Sequence, residues 1–200
     1  MPNFPKNTSD EAEAGSDPGH DRPRQRVGRV DLSQIESAHR VVPTELCSIE
    51  AQHAFKRRFD LMQVNLHHVL VRGGFGLSSG TLAEAEERIR SQLEKAEDIL
   101  NDAAERTERR LVGAGITNLE NYHMTPLVLQ VKVFSSYGKR YLQLIGAFDQ
   151  MMKMLDVTVR HGLISAEEVE HEKAKLKTEL RHFANLVRDL RNPHCARSEK

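Results

Sequence analysis

The ten residues 126–135, PLVLQVKVFS, carry a strict alternation. Leu127, Leu129, Val131 and Val133 are apolar, and Gln130 and Lys132 between them are polar. A period of two is what a half-buried strand requires. One strand leaves both rows of backbone N–H and C=O groups unpaired, so this segment must pair with another, from elsewhere in the chain or from a second copy. Residues 41–50 are a weaker strand candidate. They hold β-branched residues at both ends, and Pro43 confines them to an edge or to the first residues of a strand. Their faces stay open: Cys47 and Ile49 inward would leave Leu46 and Ser48 outward.

The rest of the pattern is helical. Phe55, Phe59, Met62, Leu66 and Val69 form one apolar stripe and predict a helix over 52–72, ended by Gly73-Gly74. A second helix is expected over 81–112, opened by a capping box of Thr81 and Glu84. Leu82, Ala85, Ile89, Leu93, Ala96, Leu100, Ala103 and Leu111 point inward, and Gly113 and Gly115 stop it. A third spans 137–161 on Tyr141, Ile145, Phe148, Met152, Leu155 and Val159, closed by Gly162. Ser165 and Glu168 form a further capping box for a fourth helix, which runs to about residue 191, where Asn192-Pro193 ends it.

Strand, helix, glycine stop, second helix: the order occurs twice. A shift of 86 positions carries Phe55, Phe59, Met62, Leu66 and Val69 onto Tyr141, Ile145, Phe148, Met152 and Leu155, and Gly76-Leu77-Ser78-Ser79 onto Gly162-Leu163-Ile164-Ser165. The strands do not keep register under that shift. The expected fold is therefore mainly α with a small antiparallel β ribbon, built from duplicated β-α-α units of the ribbon-helix-helix kind with elongated helices.

Length and composition narrow this picture. Of 200 residues, 1–40 are too polar to bury a core and are expected to be a disordered tail, leaving one domain over 41–191 and a frayed end at 192–200. Lys+Arg 29 balance Asp+Glu 29, so a basic site must be local. No apolar run reaches the roughly 18 residues of a membrane span, and the N-terminus lacks a hydrophobic signal core, so a cytoplasmic protein without membrane contact is expected. Two distant cysteines, Cys47 and Cys195, make no disulfide framework or zinc knuckle.

Enzyme chemistry finds no foothold. His67 and His68 point about 100° apart on a helix, a poor metal pair. His171-Glu172 lacks the second histidine of a zinc-protease motif, and His194-Cys195 lies in the frayed end. Gly73-Gly74-Phe75-Gly76 lacks the lysine of a phosphate loop. The expectation is no catalysis, cofactor, metal or small-molecule substrate.

A two-stranded ribbon, by contrast, fits the DNA major groove, where outward side chains meet base edges. Double-stranded DNA is the expected partner. Gln130 and Lys132 are the candidate readers, with Ser48 added from the outward alternative of the first strand. Lys56, Arg57, Arg58, Lys139 and Arg140 are candidate phosphate contacts, as are the helix N-termini at Thr81 and Ser165. Arg22, Arg24, Arg26 and Arg29 could form a basic arm, although a solvated tail is the plainer reading. Helices this long imply a larger helical body or a homo-oligomer.

Through Phe59-Asp60-Leu61-Met62-Gln63-Val64-Asn65-Leu66-His67-His68 and Lys139-Arg140-Tyr141-Leu142, the chain resembles the AcaB-like proteins of conjugative plasmids and integrating conjugative elements, over about residues 44–190. The resemblance implies a transcriptional regulator of transfer genes with a ribbon-helix-helix DNA-binding region. The alternative is a helical scaffold or assembly component of a transfer apparatus.

Overall fold

A computed structural model describes residues 37–72, 79–116 and 125–191, together with Leu32 and Ile35. The arginines of the expected arm, Gly73-Gly74 and residues 192–200 lie outside it. The elements are β1 (Arg40–Leu46), α1 (Ile49–His67), α2 (Ser79–Gly113), β2 (Leu127–Val133), α3 (Ser136–Arg160) and α4 (Ala166–Arg191). Past His67, α1 continues as a π-helical turn over His68–Arg72.

The alternation in β2 forms a strand, and its partner is β1 of the same chain. The two pair antiparallel, Arg40 opposite Val133, Pro43 opposite Gln130 and Leu46 opposite Leu127. Both strands are edges, which is why Pro43, lacking an N–H, is tolerated at the middle of β1. On the inner face Leu46, Val131 and Val133 are buried in the main core, and Val42, Leu127 and Leu129 pack against it.

Beneath the ribbon, α1 packs against α3 and α4, and α2 packs against α3 and α4. The stripe residues Phe59, Met62, Leu66, Ile145, Phe148 and Met152 are all in the core. An aromatic column runs through it, Phe55 on Phe59, Phe59 on Tyr141 and Tyr141 on Phe183, the last pair with ring centroids 5.0 Å apart. Full burial of each such side chain contributes about 1.5–3 kcal/mol. The Tyr141 hydroxyl donates to the Leu180 carbonyl at 3.0 Å, so its polar end is satisfied inside.

Helix ends follow local chemistry. Gly115 (φ +76°) and Gly162 (φ +66°) sit in the left-handed region. After each, the next N–H turns back to a carbonyl five residues earlier, Ile116 to Leu111 and Leu163 to Thr158, both at 2.9 Å. The Ser165–Glu168 box is present: Glu168 N–H donates to Ser165 Oγ and Ser165 N–H to the Glu168 carboxylate. Two boundaries differ from expectation. Helix α1 starts at Ile49, three residues early, because Ser48 accepts from the Ala51 N–H and caps it. Helix α2 already runs from Ser79, which puts Thr81 inside the helix and not at its cap.

Candidate nucleic-acid interface

The outer face of the ribbon is where alternation leaves side chains free. On β2 these are Val128, Gln130 and Lys132, all exposed; on β1 they are Val41, Pro43 and Glu45. The register places them in three rungs, Val41 with Lys132, Pro43 with Gln130 and Glu45 with Val128. Val128 is 67% exposed and Val41 49%, unusual for valines in a folded domain. The β1 residues were beyond the alternation argument because its phase was open. The fuller series Val42, Thr44, Leu46, with polar or turn residues between, is the signal that points the right way.

Ser48 is not on this face. It is 5% exposed, its Oγ caps α1, and its N–H donates to Asp149 Oδ1 at 2.6 Å. The strand ends two residues earlier, at Leu46, so the alternation that would have turned Ser48 outward no longer applies. Leu46 is likewise fully buried and Ile49 half exposed, the reverse of the phase that had Cys47 and Ile49 inward.

Two buried polar side chains fix the ribbon's ends. Asp149, on α3, accepts from the Cys47 N–H at 3.1 and 3.2 Å and from Ser48, holding the junction of β1 and α1. Gln63, on α1, donates to the Lys132 carbonyl at 2.7 Å and accepts from the Phe134 N–H at 3.1 Å, holding the junction of β2 and α3. They stand 86 positions apart and do corresponding work on opposite junctions. Neither was singled out in the sequence, although the stripe shift of 86 aligns them. Asp149 also faces Lys153 at 3.3 Å. Burial disfavours the Lys153 ammonium, but Asp149 and the neighbouring Cys47 outweigh it and raise its pKa above the ordinary lysine value.

The cations divide. Lys56, Arg57 and Lys139 are exposed, and Arg58 is half-buried. Arg57 and Arg58 face α4, across a groove shared with Lys177 and Arg181, rather than standing at the end of the ribbon. Arg140 is engaged: it grips Glu97 of α2 at 3.1 and 2.6 Å, and this hydrogen-bonded pairing raises its pKa against the cost of burial. A phosphate would have to displace that carboxylate. The α4 N-terminus is similarly occupied, its Ser165 N–H accepted by Glu168. His67 and His68 are half-buried. Among the described residues no three His, Cys, Asp or Glu side chains converge in a metal-binding cluster, and no helix is long and apolar enough to cross a membrane.

Comparison with known proteins places this architecture. No curated protein matches the sequence. The fold matches the crystal structure of selenomethionine-containing AcaB from uropathogenic E. coli with a TM-score of 0.71 at 16% identity, covering 78% of this chain and 80% of that one. The family model described as transcriptional regulator AcaB matches residues 80–199. The sequence match spans more than half of the chain, and the chain belongs to the AcaB family of transcriptional regulators.

Proposed function

We propose that this regulator binds double-stranded DNA by laying the outer face of the β1–β2 ribbon in the major groove, and that the genes it controls are transfer genes of a conjugative element. The observation that carries the DNA reading is the ribbon's asymmetry of faces. Leu46, Val131 and Val133 seal one side into the core, while Gln130 and Lys132 are exposed on the other, with no side-chain hydrogen bond or ion pair among the described residues. Glutamine can pair bidentately with adenine and lysine with guanine, each good contact contributing about 1–3 kcal/mol of discrimination. The element order supports a reading of the two strand-helix-helix halves as a duplicated ribbon-helix-helix unit. The strands Arg40–Leu46 and Leu127–Val133 are offset by 87 positions, and Pro43 and Gln130, equivalent under that offset, face each other at the ribbon's centre.

Gel-shift titration with DNA from upstream of neighbouring genes tests the proposal. Wild type is expected to bind selectively, and the Gln130→Ala/Lys132→Ala variant to lose that selectivity. Unchanged selectivity in the double variant would remove the ribbon as the reader.

A further inference from the structure

The chain's charges cancel overall, but the fold does not spread them evenly. On the seam between α2 and α3, the cation Arg140 is matched, gripped at two points by Glu97, and beside it the neutral Tyr137 hydroxyl donates to Glu86 at 3.0 Å. On the seam between α1 and α4, no carboxylate among the described residues pairs with Arg57, Arg58 or Arg181. These three line an open groove of about 410 Å³ together with His53 and Lys177. Among the described residues Glu50 is the one carboxylate in its wall, and it is shared between Lys173 at 3.5 Å and Lys177 at 4.0 Å.

We propose that this α1–α4 groove is a binding site for a phosphate-bearing ligand, separate from the reading face of the ribbon. Four permanent cations face one carboxylate there. Arg57 lies one turn beyond His53 on α1, and Arg181 one turn beyond Lys177 on α4, so two rows of donors face each other across the cleft. Like charges spaced one turn apart, as Lys177 and Arg181 are, slightly destabilise a bare helix, a cost that a bound anion reverses. The floor is apolar, formed by buried Ala54 and Leu180, and a low-dielectric floor strengthens charge-assisted hydrogen bonds above it. Guanidinium forks match phosphate oxygens in pairs, and the volume is that of an ordinary small-ligand cleft. The phosphate could belong to the backbone of the DNA whose bases the ribbon reads, or to a free nucleotide-sized effector. The chemistry is the same for both.

Two measurements on the full chain separate these sources, using wild type, Arg57→Ala/Arg181→Ala, and Arg88→Ala/Lys95→Ala as an equal charge change on the exposed face of α2. Arg57 and Arg181 are exposed, so their truncation leaves the core intact, which circular dichroism verifies. In the first, inorganic pyrophosphate is titrated calorimetrically at constant ionic strength. In the second, duplex DNA affinity is followed against salt. A free-phosphate site predicts pyrophosphate binding by wild type and the α2 control, and at least about tenfold weaker binding by the groove variant. A DNA-backbone site predicts a salt slope shallower by roughly 2 in the groove variant alone, from about 0.9 per lost phosphate contact. Either result supports the groove. If the groove variant matches wild type in both measurements, or if the α2 control loses as much, the proposal falls. A protein that binds no DNA at all overturns the ribbon reading instead, and the pyrophosphate titration then decides the groove by itself.

Discussion

The side-chain amide of Gln63 donates a 2.7 Å hydrogen bond to the backbone carbonyl of Lys132, the residue whose side chain leaves the opposite face of the ribbon. The same amide accepts from the Phe134 N–H, so one buried group closes the end of β2 and aims its last outward residue. Gln63→Ala would leave both backbone groups short of a partner. It is expected to destabilise the fold by about 1–3 kcal/mol in urea unfolding and to speed amide exchange in β2 more than in α4.

Two glycines of α3 make a matched test of that clamp. A methyl at Gly138 would stand 3.0 Å from Gln63 Oε1 and 3.2 Å from Ser135 Oγ, whereas one at Gly146 would meet nothing within 4 Å. Gly146→Ala is therefore expected to stabilise by about 0.5–1 kcal/mol through helix propensity. Gly138→Ala gains the same propensity but must push the clamp aside, and a net loss of about 1 kcal/mol is expected. Thermal unfolding of the two variants with opposite signs would verify the crowding at Gly138.

Asp149 receives three N–H contacts from Cys47 and Ser48 while 1% exposed. Asp149→Ala is expected to cost about 2–3 kcal/mol, because buried donors lose a charged acceptor. Asp149→Asn, which keeps one carbonyl oxygen, should cost less. Equal losses would mean that charge, not acceptor geometry, holds the junction.

The Ser165–Glu168 box gives a pH signature. The Ser165 backbone N–H, then its hydroxyl, hold the Glu168 carboxyl below the ordinary glutamate value. A depressed carboxylate stabilises the fold above its unfolded pKa of about 4.3, and that contribution disappears as pH falls through the lower folded value. Ser165→Ala keeps the backbone N–H and removes only the hydroxyl, so the Glu168 carboxyl, followed by NMR, should move only part of the way back toward the ordinary value, and the hydroxyl's smaller share of the acid dependence should disappear.

The rungs of the ribbon also predict the form of the DNA site under the proposed function. Lys132 and Glu45 stand at opposite ends of the outer face, with Gln130 between them. A lysine favours guanine and a glutamate the amino group of cytosine, so a site bound by one chain should lack twofold symmetry. In binding-site selection, Lys132→Ala and Glu45→Ala are expected to relax preference at different positions, by about 1–3 kcal/mol each. A palindromic site unaffected by Glu45→Ala would contradict this.

Much of the fold was legible in the chain because its causes are local. The period of two fixed β2 and its faces. The stripes of α1 and α3, the left-handed turns at Gly115 and Gly162, and the Ser165–Glu168 box each depend on residues within a few positions of one another. Only the tertiary structure decided the rest. It ended β1 at Leu46 and turned Ser48 from an outward candidate into a buried cap, because Asp149 arrives from a hundred residues away. It gave Arg140 to Glu97 while leaving Arg57 facing Arg181, since a cation's availability depends on which carboxylates other helices bring beside it. Periodicity tells which way a side chain points, but charge pairing and capping depend on partners that only folding brings together.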